Sequence, residues 1–293
     1  MHRPSCLSSL LVLVTASAAF AQGPPPAGVR AAGMAGAFTA VADDATAAAW
    51  NPAGFASGSF ASLAVDGNSF DHQSSLFAGI GTPPLGISYS RTATDGLSSG
   101  RNGLVAHNVG VSVVQSLGDT GLAVGTTLKL VHGVVSNGSS STASNAFDAD
   151  IGVMLSGALG QLGLTVHNVA RPRFAAPDAA GDVRLDRRVR GGAALHLLQR
   201  TTIAADVEFT TSRTPGGSWR DAAIGVETHP ARKTWIRGGV HWNTSGGSGS
   251  GAAPIGCLGG SYALRGAILA DVQASVGSSR GNRGWGAGIR FVF

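Results

Sequence analysis

Charged residues alternate with apolar ones along several short segments, which places them on one face of predicted β-strands. Neighbouring carboxylates such as Asp206 and Glu208 could serve as general acid and base in hydrolysis. A hydrolase of this kind also needs a serine or histidine beside the carboxylates, and the sequence marks no such set, so we expect no enzyme activity and no catalytic residue. We interpret the charged side chains as lumen-lining groups of a barrel, which either form a polar path or pair in a packed interior. Pairing with arginines is favoured for Asp206 and Glu208. The set consists of Lys129, Asp148, Asp150, Asp206, Glu208, Arg237, Asp271 and Arg290.

Metal, cofactor and nucleic-acid chemistry are not indicated. The histidines are scattered without the close spacing of a metal site, and Cys257 has no partner cysteine. The glycine-rich run 246–251 lacks the lysine that follows a phosphate-binding loop. The formal net charge is +5, but arginines cluster in predicted loops rather than on a basic helix. We therefore expect contact with membrane lipid and lipopolysaccharide, and no nucleic-acid partner. The loop arginines are Arg171, Arg173, Arg184, Arg187, Arg188 and Arg190.

Residues 1–21 have the features of a cleavable export signal. His2 and Arg3 give a positive start, residues 10–19 form an apolar run, and residues 19–21 read Ala-Phe-Ala, the pattern of a cleavage site. The apolar run is too short to span a bilayer as a helix. Export without the possibility of an internal disulfide is typical of a bacterial envelope protein.

The rest of the chain distributes its apolar residues over short segments. The mean hydropathy is positive and 13% of the residues are charged, whereas a soluble domain carries about 25%. No later stretch reaches about 18 uninterrupted apolar residues, so no transmembrane helix is predicted. This combination favours the wall of an all-β, transmembrane antiparallel β-barrel over residues 58–293.

Apolar and polar residues alternate in about fourteen predicted strands, although twelve remains possible because the first two are weakly marked. Short and long connections alternate between them, as in outer-membrane barrels with tight periplasmic turns and longer extracellular loops. An even strand number places both ends of the barrel chain on the periplasmic side. The predicted strands are 59–66, 70–79, 85–91, 104–116, 120–134, 146–156, 161–169, 188–198, 201–210, 219–228, 233–242, 255–263, 267–276 and 284–293.

The last ten residues, 284–293, place large apolar side chains on one face and small or polar ones on the other. This segment resembles the closing-strand signal of bacterial outer-membrane proteins, which their insertion machinery reads as a terminal aromatic residue. The resemblance implies an assembly role for Trp285, Phe291 and Phe293. Phe293 would lie at the periplasmic rim and Trp285 towards the outer interface.

Residues 22–57 differ from the strands that follow. Asp43 and Asp44 are suited to cap a short helix over residues 45–50. Asn51-Pro52 would end this helix, because the residue before a proline avoids the helical region. Gly33 and Gly36 allow close backbone packing.

This segment resembles the amino-terminal motif of the FadL-like long-chain fatty-acid transporters, which include TodX-type proteins, and of the PorV/PorQ-like barrels. The matching residues are Gly33, Gly36 to Phe38, Ala40 to Ala45 and Asn51 to Gly54, while Ala35 replaces a glycine of the family pattern. The resemblance implies a hatch that folds into the lumen, with its Asn-Pro part near the periplasmic mouth. The implied hatch residues are Gly33, Gly36, Phe38, Asp43, Asp44, Asn51 and Pro52.

Two functions remain open for such a protein of the cell outer membrane. The first is passive transport of small hydrophobic molecules, fatty-acid-like in kind, through a hatch-gated lumen. The second is an interaction barrel, similar to the PorV-like relatives, that binds a secreted protein during secretion or surface assembly. The long basic loop 170–190 favours the second function, and the hatch motif favours the first.

Overall fold

The computed structural model describes residues 27–70, 73–94, 103–137, 139–177, 182–197, 200–214, 217–245, 254–277 and 283–293. The predicted signal peptide and the glycine-rich run 246–251 lie outside these residues. No helix among the described residues is long and apolar enough to cross a membrane.

Fourteen antiparallel strands form a closed barrel, in which each wall strand pairs with the next and the last strand pairs with the first. The chain contains, in order, β1 (Ser62–Phe70), β2 (Gln73–Thr82), β3 (Leu85–Thr94), β4 (Gly103–Ser116), β5 (Leu122–Ser136), β6 (Ser141–Gly157), β7 (Gly160–His167), β8 (Arg173–Phe174), β9 (Val183–Arg184), β10 (Arg188–Leu197), β11 (Thr201–Glu208), β12 (Ser212–Thr214), β13 (Gly217–Trp219), β14 (Asp221–Ala231), β15 (Thr234–Asn243), β16 (Ile255–Arg265), β17 (Ile268–Gly277) and β18 (Arg283–Val292). The pairs β8–β9 and β12–β13 form two small sheets that are not part of the barrel wall.

The strand count of fourteen confirms the larger of the two predicted numbers, and every wall strand overlaps its predicted range. One connection differs. Residues 135–145 were expected to form a long loop, but β5 and β6 remain paired as far as Ser136 and Ser141. Residues 141–145 of β6 read Ser-Thr-Ala-Ser-Asn. They do not alternate between polar and apolar types, so this part of the strand is not visible in the sequence.

The outer face of the barrel is apolar, as a lipid-facing wall requires. Large aliphatic side chains are exposed at alternate positions of every wall strand from β2 to β7 and of most strands beyond. Examples are Leu76, Ile87, Val111, Leu128, Ile151, Leu162, Ile203, Ile224, Ile236, Leu258, Val272 and Ile289. Because closure pairs β1 with β18, no wall strand presents an unpaired edge to the membrane.

The two ends of the barrel differ in their connections. Tight turns join the strands at one end, which we call the turn end, and the longer connections lie at the other, the loop end. Both ends of the barrel chain meet at the turn end, where the Phe293 amide donates to the Ala61 carbonyl oxygen at 2.9 Å.

Residues 27–57, called here the inner segment, lie inside the barrel and are almost entirely buried. They contain α1 (Val29–Gly33), α2 (Ala47–Trp50) and a 3-10 helix (Pro52–Ser57). Helix α1 was not predicted, because five residues are too few to show helical periodicity. Helix α2 begins two residues later than expected, since Asp44 accepts hydrogen bonds from the Thr46 amide at 2.9 Å and from its hydroxyl, forming a turn before the helix.

Asn51 ends α2 as predicted and begins the 3-10 helix. Its backbone is extended, with φ −155°, which stops the helix immediately before Pro52. Its side-chain oxygen accepts from the Ala53 amide at 3.2 Å, and its side-chain nitrogen donates to the carbonyl oxygens of Thr39 and Val153 at 3.0 and 3.1 Å. One amide group therefore joins two parts of the inner segment to the wall strand β6.

Candidate functional site

The inner segment approaches the barrel wall closely at wall positions occupied by glycine. A Cβ on Gly225 would lie 2.5 Å from the Met34 carbonyl oxygen, and one on Gly239 would lie 2.7 Å from the same atom. No side chain larger than hydrogen fits at these distances. We call this set the glycine seat. It consists of Gly125, Gly152, Gly163, Gly192, Gly225, Gly239 and Gly259. Gly125 faces Pro52–Ala53, and Gly152 faces Asn51. Gly163 and Gly192 face Thr39, Gly225 and Gly239 face Met34, and Gly259 faces Gly33.

Gly33 and Gly36, the two glycines predicted as hatch residues, are required at their positions for different structural reasons. A Cβ on Gly33 would approach the Cα of Gly259 to 3.1 Å, so this residue is small because it touches the wall. Gly36 has φ +77°, a conformation that side chains rarely adopt. The turn at Gly36 brings Phe38 against Trp50 in an edge-to-face contact with ring centroids 5.8 Å apart.

Ion pairs hold the inner segment on one side of the lumen. Arg30 donates to Glu227 of β14 from Nε at 2.9 Å and from Nη2 at 2.7 Å, and its Nη1 also contacts Asp43 and Asp44. Arg290 of β18 donates to Asp44 at 3.0 Å. We call this group the Arg30 cluster. Its members are Arg30, Asp43, Asp44, Glu227, Arg237, Asp271 and Arg290.

Asp44 stays ionised within this cluster. Burial alone would raise the pKa of the Asp44 carboxyl, but Arg290 and Arg30 beside it, together with the hydrogen bonds from Thr46, lower that pKa to about 2. The carboxylate therefore keeps its charge and its attraction to both guanidinium groups.

A second group of ion pairs binds the inner segment from the adjoining strands β10, β11 and β14. Asp206 of β11 accepts from the Thr39 amide at 3.0 Å and from its hydroxyl at 2.6 Å, and Arg190 of β10 donates to the Gly36 carbonyl oxygen at 2.7 Å. Arg190 also pairs with Asp206 and Asp221, both at 2.9 Å. Arg188 pairs with Glu208 at 2.5 Å.

The placement of Arg188 and Arg190 in a loop was wrong. Both lie on β10 and point into the lumen, where Arg190 is only 1% exposed. Their position follows from the alternation of β10, because they are in phase with the lumen-facing Gly192 and Ala194. The arginine partners favoured for Asp206 and Glu208 are thus provided by the neighbouring strand.

A third group lies on β5, β6 and β7. Lys129 donates to Asp150 at 2.7 Å and pairs with Asp148 at 2.8 Å. His167 Nδ1 lies 3.2 Å from the second carboxylate oxygen of Asp150. Asn168 accepts from Lys129 at 3.1 Å, which ties the start of the connection between β7 and β10 to the wall.

The described parts of the connection between β7 and β10, residues 168–177 and 182–187, fold into the loop end of the lumen. Phe174 of β8, Val183 of β9 and the following Leu185 are fully buried in one apolar cluster. Phe174 lies directly on the lumen face of Gly133, where a side chain on the glycine would overlap its ring. We call residues 173–177 and 182–185 the loop-end hairpin, and they lie in the lumen opposite the inner segment. Its partners in the wall are Leu104, Ala106, Val131 and Val135.

A chamber of ≈ 90 Å³ lies between the inner segment and the loop-end hairpin. Its floor includes Ala27, Ala48 and Ala49 of the inner segment, and Leu185 lies at the hairpin side. The wall around it combines polar and apolar groups. The polar lining comprises Ser75, Ser88, Ser90, Thr92, Asn108, Thr127, Lys129, Asp150, His167, Asn168 and Arg188.

The residues predicted to line the lumen all point inwards, and the structure divides them among the three ion-pair groups. Arg237, Asp271 and Arg290 belong to the Arg30 cluster. Asp206 and Glu208 join the arginines of β10, and Lys129, Asp148 and Asp150 form the third group. Within the described residues, no group of histidine, cysteine and carboxylate side chains is arranged to hold a metal ion.

The predicted assembly residues lie on the outside, apart from the lumen. Trp285 and Phe293 are 65% and 67% exposed on the outer face, near opposite ends of β18, and Phe291 shares that face. Their role in assembly stays a prediction.

Several buried charges in the lumen were missed. Asp221 and Glu227 of β14 are in phase with the lumen-facing Ala223 and Gly225, so the strand alternation could have identified them. Arg30 has no such signal, because it belongs to a segment without periodicity. His167 was regarded only as an isolated histidine, although it follows Thr165 on the lumen face of β7.

No family model matches the chain, and no characterised protein matches it by sequence. Solved structures share its fold. The "CymD monoaromatic hydrocarbon channel" is 12% identical, with a TM-score of 0.69 over 91% of this chain and 97% of that one. A Pseudomonas aeruginosa FadL homologue is 11% identical, with a TM-score of 0.64 over 94% and 98%. The Pseudomonas putida toluene transporter TodX is 11% identical, with a TM-score of 0.60 over 92% and 97%.

Proposed function

We propose that this protein is an outer-membrane channel for the passive passage of small hydrophobic molecules, with the inner segment as its hatch. The observation that carries the proposal is the inner segment itself, which occupies part of the lumen and is bound to several wall strands. The proposal places the turn end in the periplasm, after removal of an export signal at residues 1–21.

Two of the channels that share this fold are named for their apolar solutes, which are monoaromatic hydrocarbons and toluene. The motif in residues 33–54 resembles that of fatty-acid transporters. Both likenesses support an apolar solute. The chamber is small, ≈ 90 Å³, compared with about 150 Å³ for a cavity that binds benzene. Passage of an aromatic solute would therefore require movement of the inner segment.

Locking the inner segment to the wall should abolish passage. Ala35 lies in one buried cluster with Cys257 of β16, so Ala35→Cys offers the native cysteine a partner across the interface. We expect an oxidised variant that runs as an internally crosslinked monomer on non-reducing gels. Uptake of toluene into vesicles containing this variant should be lost, and reductant should restore it, because the hatch can then move.

The matched control is Ala35→Cys combined with Cys257→Ser, which carries the same change in the inner segment but cannot crosslink. Its uptake should not respond to oxidant. Uptake that persists in the crosslinked variant would show that solute does not pass by movement of this segment, and the proposed function would then fail.

A second candidate function, an interaction barrel that serves protein secretion or surface assembly, has one observation in its favour. Arg171, Arg173 and Arg187, at the ends of the connection between β7 and β10, are exposed at the loop end. Crosslinking in living cells tests this function. Recovery of one exported protein, dependent on these three arginines, would support the interaction barrel and not the channel.

A further inference from the structure

We propose that a row of polar side chains on the outer face of the barrel binds a phosphate group of lipopolysaccharide. We call it the outer-face row, and it consists of Arg91 of β3, His107 of β4, His132 of β5 and Asn145 of β6. The inference rests on the proposed function, because that proposal places the turn end in the periplasm and therefore the loop end, where this row lies, at the cell surface.

The outer-face row is continuous across four neighbouring strands. Arg91 lies directly opposite His107, and His107 lies directly opposite His132. His132 in turn lies opposite Asn145. All four share the face of Val109, which is 50% exposed on the outside of the barrel. Because opposite residues on one face of a sheet have Cβ atoms about 5 Å apart, the four side chains form one polar strip.

The row lies at the edge of the apolar wall. Between His107 and Gln115, the outer face of β4 carries three exposed valines, at positions 109, 111 and 113. The eight residue steps from 107 to 115, at about 3.4 Å each in a strand tilted by about 40°, cover about 21 Å of membrane thickness. The apolar band of outer-membrane barrels is about 25 Å tall. The outer-face row is therefore at the level of the lipid headgroups.

Both histidines of the row are held by a neighbouring side chain and keep one ring nitrogen available. The Tyr89 hydroxyl oxygen lies 2.9 Å from His107 Nδ1, and the Asn145 side-chain oxygen lies 2.7 Å from His132 Nδ1. The two rings are adjacent, with centroids 6.1 Å apart. Neither Nε2 atom has a hydrogen-bond partner among the residues that the structure describes. Rings that are fixed before binding lose little entropy when a ligand arrives at Nε2.

The charge on this part of the outer face favours an anion. In the described strands β2 to β7 the carboxylates are Asp148 and Asp150, and both are buried in the lumen beside Lys129. Arg91 has no carboxylate partner within the described part of the chain. Its guanidinium group presents N–H donors in a geometry that matches phosphate. A phosphate group at the outer-face row therefore meets no competing acidic side chain from these strands.

Apolar wall directly below the row selects a lipid over a soluble anion. The next residues towards the turn end are Val109, Leu130 and Phe147, and Phe147 is 81% exposed. Lipopolysaccharide carries its phosphate groups on the sugars that also bear the acyl chains, so one molecule can contact both surfaces. A free phosphate ion gains nothing from the apolar residues. A phospholipid of the periplasmic leaflet would have its phosphate at the turn end instead.

The test measures lipid binding to the full chain by native mass spectrometry from detergent micelles. The probe is lipid A, the acylated and phosphorylated anchor of lipopolysaccharide. The comparison lipids are lipid A without its phosphate groups, and phosphatidylglycerol, which carries an anionic phosphate on two acyl chains. We expect saturable binding of lipid A that is about tenfold tighter than binding of either comparison lipid, because only lipid A supplies the phosphate and the acyl surface together.

Three variants locate the binding site. Arg91→Gln removes the permanent charge of the row and should weaken lipid A binding about tenfold. Tyr89→Phe releases the His107 ring and should weaken it about threefold. The matched control is Arg265→Gln, which removes an exposed arginine at the turn end and should bind lipid A as the native protein does. A heat-dependent mobility shift on gels shows that each variant is a folded barrel.

The inference is overturned if either comparison lipid binds as tightly as lipid A, or if Arg91→Gln and Arg265→Gln bind lipid A equally well. Its failure is separate from failure of the channel. If toluene uptake still depends on the Ala35→Cys crosslink while lipid A binding ignores the row, only the lipid site is wrong. If lipid A binding depends on the row but uptake ignores the crosslink, the lipid site stands on a barrel that is not gated by its inner segment.

Discussion

Replacing Arg30 with methionine is expected to loosen the inner segment by about 3–5 kcal/mol, because removal of one member of a buried ion pair leaves the other charges uncompensated. Methionine preserves much of the volume of the side chain, so the effect reports charge rather than a cavity. Backbone amides of residues 29–51 should then exchange with deuterium about 10²- to 4 × 10³-fold faster, as measured by mass spectrometry.

Arg184→Met is the matched control for this experiment. Arg184 also pairs with a carboxylate, Asp186 at 2.8 Å, but the two side chains are 33% and 18% exposed. A pair open to water contributes about 0–1 kcal/mol, so exchange in the inner segment should not change. Equal exchange rates in the Arg30 variant and the native protein would mean that the Arg30 cluster does not hold the segment.

Substitution of Gly125 by valine should force the inner segment away from the wall and open the lumen to ions. A side chain at this position of β5 overlaps the backbone of Pro52 and Ala53, which cannot move aside as a flexible side chain could. Overpacking of this kind costs about 1–3 kcal/mol. We expect steady ionic current through the variant in planar bilayers, where the native protein conducts little.

Gly256→Val introduces the same side chain on the outer face of β16. The nearest atom to its Cβ is the Val276 carbonyl oxygen at 3.8 Å, so the substitution meets no obstacle. This variant should fold and remain closed. Current from Gly256→Val equal to that from Gly125→Val would indicate a general loss of barrel integrity and would remove the case for the glycine seat.

The barrel could be predicted from the sequence because its signal is local. A wall strand shows its orientation through alternation of two residues, and β10 or β17 can be recognised from ten consecutive residues without knowledge of the rest. The terminal strand and the short turns follow from the same pattern. The exception is the ribbon of β5 and β6 near Ser136 and Ser141, where β6 reads Ser-Thr-Ala-Ser-Asn and shows no alternation of polar and apolar residues.

The site depends on contacts that no local pattern records. Arg30 and Glu227 are separated by 197 positions in the chain, and their meeting requires the complete barrel around a folded inner segment. Phe174 and Val183 appear in the sequence as isolated apolar residues of a basic loop. Only the three-dimensional arrangement shows that they enter the lumen and form one boundary of the chamber.

The two closures of the lumen are built from different chemistry, and they should therefore respond to different stimuli. The loop-end hairpin is held by apolar packing around Phe174, and an apolar solute can replace such contacts at little loss of free energy. The inner segment is held by Arg30, Asp44 and Asp206 through ion pairs and charged hydrogen bonds, for which an apolar solute offers no substitute. Arrival of solute from outside would thus release the first closure and leave the second intact. In the proposed channel, exit towards the periplasm would then require a separate event at the ion pairs, so that entry and exit would be two independently controlled steps.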